Sequence, residues 1–322
     1  MKIVSLFCGC GGLDLGLREA GHKIVHASDF DKDSIDTYNS YFSHKADLID
    51  VHDLKGKSLP NFDLLAGGFP CQGFSVANTL RHKNDERNKL YLQIIRLLKE
   101  TKPKFFLLEN VAGILSLEKG EVLKQIVREL SNVNKKVFGG YDLKYLKLNA
   151  ADYGVPQNRH RVIFLGISKS FDEKKRNKMF SFFPPEPTHV PNGDMINNRY
   201  LTLRDAIGDL GKPSEDYPIP NHVCNKHKVK INGYLGNRKL DWDKPSPTIV
   251  GRGGGTGGPV IAVHPSLKRR FSVRETARIQ SFPDNMIFSG PISSQFRQIG
   301  NAVAVDFAEH LGKMLKNIEN VK

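Results

Sequence analysis

Two stretches carry the residue types needed to attack a small planar substrate: Gly67-Gly68-Phe69-Pro70-Cys71-Gln72-Gly73-Phe74-Ser75 and Leu108-Glu109-Asn110-Val111. Cys71 offers a thiol whose free pKa is about 8.5, so it needs activation by its surroundings or by proton donation to the substrate. Glu109 offers a carboxyl that can protonate or hydrogen-bond a ring nitrogen while sulfur attacks the neighbouring ring carbon. Either residue alone reads as ordinary structure, a lone cysteine being a small buried hydrophobe and a strand-end glutamate a solvated cap. Their combination is what points to chemistry.

The elements that must position them are legible as apolar runs. Residues 62–66 read as a buried parallel strand ending in Gly67 and Gly68, and residues 105–108 as a second. Cys71 and Glu109 then share the carboxyl-end rim of an open α/β sheet, where ligands bind. At the start of the chain, Ile3-Val4-Ser5-Leu6-Phe7 precedes Gly9, Gly11 and Gly12, and Leu13, Leu17 and Ala20 follow on one helical face. This is the strand, glycine turn and helix of a nucleotide-binding unit. A second strand, Lys23-Ile24-Val25-His26-Ala27-Ser28, ends at Asp29, where such units place an acid for ribose hydroxyls. The glycines lack strict G-x-G-x-x-G spacing, and this segment alone also fits a nicotinamide-dependent reductase.

Up to about residue 170, strand-length runs (62–66, 105–108, 143–148, 162–167) alternate with helical patterns such as Leu90, Ile94, Leu97 and Leu98. That alternation predicts a doubly wound, mostly parallel sheet. The texture then changes: Asp172-Glu173-Lys174-Lys175-Arg176 is a charged run, Phe183-Pro184-Pro185-Glu186-Pro187 breaks regular structure, and Gly, Pro and Asn become frequent. The chain divides into a large domain at 1–178, completed by a C-terminal helix within 296–322, and a smaller, irregular, strand-containing domain at 179–295. Ser272-Val273-Arg274-Glu275 forms a capping box, predicting a helix that starts at Val273 and carries Ala277, Ile279 and Gln280. A last helical pattern at 303–315 returns to the large domain.

The 322 residues carry a net charge of +14, with twelve Lys or Arg against three acids in 221–280, which favours a polyanionic partner. No apolar run approaches the roughly 20 residues of a membrane-spanning helix. The first residues pass straight into a predicted core strand, so neither a secretory signal nor a removable targeting segment is expected, and the expected location is the cytoplasm. Cysteines at 8, 10, 71 and 224 make no disulfide framework and fit a reducing compartment. No metal is expected: Cys8-Gly9-Cys10 is too tight for zinc, and His222, Cys224 and His227 lack a fourth ligand.

Six blocks stand in order: Phe7-Cys8-Gly9-Cys10-Gly11-Gly12-Leu13, Pro70-Cys71-Gln72, Glu109-Asn110-Val111, Gln157-Asn158-Arg159-His160-Arg161, Arg274-Glu275-Thr276-Ala277-Arg278 and Gly300-Asn301-Ala302-Val303. Over nearly its whole length the chain resembles the cytosine-5 DNA methyltransferases of bacterial restriction-modification systems. The resemblance implies a Rossmann-like, S-adenosylmethionine-dependent methyltransferase fold with a target-recognition domain. It implies that Phe7, Gly9 and Gly11 line the methionine end of S-adenosylmethionine, that Asp29 holds the ribose, and that Asp47 and Leu48 meet the adenine. Leu90 would pack near the cofactor, although Leu48 and Leu90 also fit ordinary core positions. Asn301 would contact both cofactor and recognition domain.

By the same resemblance, a cytosine flipped out of double-stranded DNA is attacked at carbon 6 by Cys71 while Glu109 stabilises protonation at nitrogen 3. Arg161 would hold the exocyclic oxygen and Arg159 would brace the site, a guanidinium fork suiting a planar polar edge. Residues 76–88 would form a closing loop, although Asp85-Glu86-Arg87-Asn88 stands where the family often has Asp-Pro-Arg-Gly. Ser75, Arg238, Lys239 and Arg252 are the expected DNA contacts. Residues 251–258, rich in glycine, are no P-loop, since neither Lys-Ser nor Lys-Thr follows; they read as a flexible connector or as backbone approaching DNA closely, with Arg252 a guanine reader. A cognate endonuclease acting on the same site without a stable complex, a monomeric enzyme and a bacterial cytoplasm complete the expectation. Three rivals remain: RNA cytosine methylation on the same fold, a catalytically silent DNA-binding protein, and a nicotinamide-dependent reductase.

Overall fold

The computed structural model describes residues 1–69, 90–224, 239–251, 263–266 and 269–322. The first part of the chain runs β1 (Lys2–Leu6), α1 (Gly12–Glu19), β2 (Lys23–Asp29), α2 (Lys32–Tyr41), β3 (Asp47–Leu48), β4 (Leu64–Gly68), α3 (Leu90–Thr101), β5 (Phe105–Val111), α4 (Glu121–Asn132), α5 (Lys135–Phe138), β6 (Tyr141–Asn149), β7 (Gln157–Asn158) and β8 (His160–Ser168). Seven of these strands form one sheet in the order β3-β2-β1-β4-β5-β8-β6. Pairing is parallel from β3 through β5, and β8 runs antiparallel to both its neighbours. The order reverses direction beside β1, the point at which an open α/β sheet leaves a crevice at its carboxyl end.

Alternation along the strands divides the interior into two cores. Ile3, Leu64, Phe105, Leu107, Ile163 and Leu165 face one side with α1 and the C-terminal helix. Val4, Leu65, Phe106, Leu108, Val162 and Phe164 face the other with α3 and α4. Burial on both faces is why these strands appear in the sequence as continuous apolar runs. Each fully buried Leu, Ile or Phe side chain contributes about 1.5–3 kcal/mol of transfer free energy, against about 0–1 for an exposed ion pair, so these two layers dominate the fold. Within the first layer, the buried Asp14 carboxylate accepts from Ser5 Oγ at 2.5 Å and from Tyr38 Oη at 2.8 Å, tying β1, α1 and α2 together. Burial pushes its pKa up to about 6, the two hydrogen bonds only partly offsetting this.

The remainder comprises α6 (Glu173–Phe180), β9 (His189–Val190), β10 (Asn198–Arg199), α7 (Leu203–Ile207), β11 (Ser246–Pro247), α8 (Val273–Ile279), α9 (Ile292–Asn301) and α10 (Val305–Glu319). The charged run at 172–176 forms the cap and first turn of α6, Asp172 accepting from the Lys175 amide. Only Met179 and Phe180 of α6 are buried, so its sequence shows no apolar stripe. Strands β9 to β11 have two residues each, and β11 pairs in parallel with β7. A third small core joins Leu203, Ile207, Ile249, Phe271 and Ile279. The capping box at Ser272 and Glu275 is formed, and α8 starts at Val273. Arg274 is fully buried and donates to the carbonyls of Pro220, Pro283 and Met286, a scaffolding role. Helix α10 packs against α1, bringing the end of the chain back to the first nucleotide-binding unit.

Asp306, in the first turn of α10, gives a pH signature. Burial, then the Glu309 charge, push its carboxyl up to about 7, with Ser281 and Lys313 opposing. A folded-state pKa above the unfolded value means the folded chain binds more protons than the unfolded one between about pH 4 and 7, so this group's contribution to stability falls as pH rises through that window. Asp306→Asn should therefore raise the melting temperature relative to the unaltered chain at pH 8 and lose that advantage near pH 4.5. Scanning calorimetry at the two values checks it; a pH-independent difference would contradict the assignment.

Candidate active site

Glu109 lies on β5 opposite Gly68, the last residue of β4. A side chain at Gly68 would begin 3.0 Å from Glu109 Oε2, so glycine leaves the carboxylate room to lie over the end of the neighbouring strand. Arg161, near the start of the antiparallel β8, reaches Glu109 Oε1 through Nε at 2.6 Å, and both side chains are largely buried. Burial pulls the Arg161 guanidinium down from its ordinary pKa and the Glu109 charge opposes this. The next residue, Asn110, is buried and donates through Nδ2 to the Phe69 carbonyl at 3.2 Å, tethering the end of β4 beside Glu109. The rim thus holds a carboxyl group and a guanidinium fork side by side, able to meet adjacent edges of one planar ring.

Arg159 sits apart from that pair. It is fully buried and donates to the carbonyls of Ile249, Gly300 and Ala302 at 2.8, 2.9 and 2.8 Å. Gln157 completes the junction, donating to Gln280 Oε1 and accepting from the Ile249 amide. The sequence offered Gln157 only as part of a motif; its role as a buried junction residue carried no separate signal. Cys71 and Ser75 lie outside the described residues, as do Arg238 and Arg252. Lys239 is exposed and its backbone bridges to Val263.

A second cluster occupies the carboxyl ends of β1, β2 and β3. Phe7 takes a left-handed φ of 54°, which a bulky side chain adopts only when its surroundings impose it. Here Cys8 N–H donates to Ser28 C=O and Gly11 N–H to Cys8 C=O, closing the turn. Gly11 has φ 92°, and a Cβ there would sit 2.5 Å from the Phe42 ring. Asp29 Oδ2 accepts from Gly9 N–H and Oδ1 from Asp31 N–H, both at 2.9 Å. Burial raises the Asp29 carboxyl above its ordinary pKa, with those amides opposing. Each oxygen keeps a lone pair for a further donor.

Next to Asp29, Phe30 is 68% exposed, and Leu48, paired to Asp29 across the β2–β3 ladder, is 53% exposed. Leu48 is thus no core residue. Two exposed apolar side chains flank a half-buried acid at adjacent strand ends, an apolar slot suited to a flat heterocycle. Asp47 is exposed, with His26 Nδ1 3.6 Å from its carboxylate. Leu90 is half-buried and, like Phe7, packs against the second core. Asn301 is exposed at the end of α9, its Oδ1 2.4 Å from where a Gly251 side chain would begin. Phe30 escaped the sequence analysis, although an aromatic directly after a strand-ending acid was the available signal.

His222 and Cys224 are engaged locally: His222 with Ser272 Oγ and the Gly211 carbonyl, Cys224 with Arg269 and the Arg270 carbonyl. His227 lies outside the described residues. No helix among them is long and apolar enough to cross a membrane.

Residues 1–317 match the C-5 cytosine-specific DNA methylase family. The chain belongs to this family. Among C-5 cytosine-specific DNA methylases it is similar to the Type II methyltransferase M.FnuDI of Fusobacterium nucleatum, with 35% identity covering 98% of this chain and 94% of the relative. It is also similar to M.MthTI of Methanothermobacter thermautotrophicus, with 36% identity covering 98% and 97%. A solved structure described as a DNA modification methyltransferase encoded within an E. coli prophage superposes with a TM-score of 0.74 at 26% identity, covering 99% of both chains. The S. pombe Dnmt2 methyltransferase shares the fold, with a TM-score of 0.69 at 19% identity over 99% of each chain. The C-5 methylase is therefore a cytosine-5 DNA methyltransferase, and its sheet is that of a Rossmann-like methyltransferase.

Proposed function

We propose that this methyltransferase transfers the methyl group of S-adenosylmethionine to carbon 5 of a cytosine flipped out of one short double-stranded DNA sequence, through a covalent Cys71 adduct. The observation that carries the reading is the largely buried Glu109–Arg161 pair at the rim formed by the carboxyl end of β5 and the amino end of β8, tethered through Asn110 to Phe69, two residues before Cys71. The other three cysteines do not compete as nucleophiles. Burial raises Cys8 well above the ordinary thiol value, Cys10 to about 12 and Cys224 to about 11.

In this reading Cys71 sulfur bonds to carbon 6 of the ring while Glu109 stabilises the proton at nitrogen 3, turning carbon 5 into an enamine-like nucleophile. Arg161 holds the exocyclic oxygen, and Arg159 braces the rim through the three carbonyls it binds. The donor supplies an electrophilic methyl group on a sulfonium. Loss of the carbon 5 proton then expels Cys71 and restores the aromatic ring. The donor's ribose suits the free lone pairs of Asp29, its adenine the slot between Phe30 and Leu48 beside Asp47, and its methionine end the turn at Phe7, Gly9 and Gly11, with Leu90 nearby. Ser75, Arg238, Lys239 and Arg252 are assigned to DNA contact, which the net charge of +14 supports. We assign catalysis to 1–178 with 296–322, and target recognition to 179–295. The enzyme acts as a monomer in the bacterial cytoplasm, as the modification partner of an endonuclease that cuts the same sequence, with no stable complex between them.

Incubation with methyl-tritiated S-adenosylmethionine and either plasmid DNA or bulk transfer RNA tests this. Label in DNA, at 5-methylcytosine, is the expected result; label in transfer RNA alone would transfer the mechanism to RNA, and label in neither would overturn it.

A further inference from the structure

Helix α9 lies between the proposed cofactor turn and the segment that leads into the glycine-rich stretch. On the cofactor side, Arg297 Nη2 donates to Asp31 Oδ1 at 2.9 Å and to Ser294 Oγ at 2.9 Å. The amide of that same Asp31 donates to Asp29 Oδ1. Its other carboxylate oxygen caps α2, accepting from Ser34 N and Oγ. One residue further along α9, Gln298 Oε1 accepts from Thr37 Oγ1 at 2.6 Å, and the Gln298 carbonyl lies 3.6 Å from Cys10 Sγ beneath the glycine turn.

The opposite side of α9 meets residues 249–251. A Cβ on Gly300 would stand 2.4 Å from the Gly251 amide nitrogen, so the two backbones touch with no side chain between them. Gly251 in turn abuts Asn301 Oδ1 and the Arg297 carbonyl. Arg159 locks the contact, since one guanidinium binds the carbonyls of Ile249, Gly300 and Ala302. A displacement of Gly251 is therefore transmitted as a displacement of the end of α9, because a close-packed backbone contact has no slack to absorb it.

We infer that α9 couples the recognition segment to the cofactor turn and that Arg297 is the positioning residue through which it does so, holding Asp31 and, through the Asp31 amide, the Asp29 carboxylate. This rests on the functional reading above. Arg297 touches neither substrate in that reading; it acts by fixing where Asp29 stands once residues 249–251 are engaged. Coupling of this kind is reciprocal, so DNA tightens the cofactor site by the same factor by which the cofactor tightens DNA.

The test measures binding of S-adenosylhomocysteine to the full chain by calorimetry, alone and with a saturating duplex carrying the cytosine motif that the enzyme protects. For the unaltered chain the duplex should improve affinity at least about fivefold, the lower end of ordinary coupling. Arg297→Ala should cut that gain to below about twofold. Asp31→Asn, which keeps an α2 cap, should do the same, and the double variant should lose no more than either single one. Arg297→Lys should restore part of the gain. If Arg297→Ala lowers both affinities equally and leaves their ratio intact, its role is merely structural and the inference fails. A ratio near one in the unaltered chain also overturns it. Absence of any S-adenosylhomocysteine binding would instead overturn the functional reading, and this inference with it.

Discussion

Cys71→Ala is expected to lower methyl transfer by at least about 10⁴-fold, below detection in most assays, while leaving S-adenosylhomocysteine affinity within about twofold of the unaltered chain. The scale follows from the chemistry. Carbon 5 of a neutral cytosine is a weak nucleophile, and addition of a thiolate at carbon 6 is what converts the ring into an enamine. Without the sulfur there is no lesser version of that step. The cofactor residues assigned here (Phe7, Gly9, Gly11, Asp29, Asp47, Leu48, Leu90 and Asn301) do not include Cys71, so its removal should leave them in place. Steady-state transfer and calorimetry on the same preparation separate the two effects. Residual transfer above about 1% would mean that another group supplies the nucleophile.

Glu109→Gln is expected to reduce turnover by about 10²–10⁴-fold, the range for loss of a positioned general acid. Glutamine retains an oxygen to accept from Arg161 Nε, so the hydrogen bond at 2.6 Å can persist, although the negative charge opposite the nearly buried guanidinium is lost. The substitution therefore removes the transferable proton more than the packing. Turnover should fall with unchanged S-adenosylhomocysteine binding, the lost charge opposite Arg161 showing separately as a lower melting temperature. A fall in cofactor binding instead would make Glu109 a structural partner of Arg161.

Much of the fold was visible because its central strands are buried on both faces. Strands β1, β4, β5 and β8 appear as short apolar runs, and the alternation of Ile3 with Val4, or Phe105 with Phe106, assigns successive side chains to different cores. The Ser272 capping box was readable because it depends on two residues at fixed spacing. Helix α6 was not, since a helix that buries only Met179 and Phe180 has no periodic stripe to detect. Helix α9 escaped in part for the opposite reason: Ser294, Gln295, Gln298 and Gly300 are buried along with Phe296 and Ile299, so its inward face is not apolar. Its polar side chains are spent on the nearby Ser289 and Gly290 carbonyls and on Thr37 and Asn221, the last two far away in sequence, so that no local pattern announces them.

The candidate site shows the same division. Glu109, Asp29 and the glycine turn stand at strand ends and were legible from the runs that precede them. Arg159 and Arg161 are two residues apart on one short segment, yet one reaches Glu109 and the other three backbone carbonyls. That distinction depends on which elements pack against β8. Phe30 needed the three-dimensional structure to be recognised as an exposed aromatic beside a half-buried acid.

The most direct test of the central claim is bisulfite sequencing of plasmid DNA from cells expressing the unaltered chain beside cells expressing Cys71→Ala. The account predicts protected cytosines confined to one short motif in the first and none in the second. Protection that persists in Cys71→Ala, or is absent from both, would contradict it.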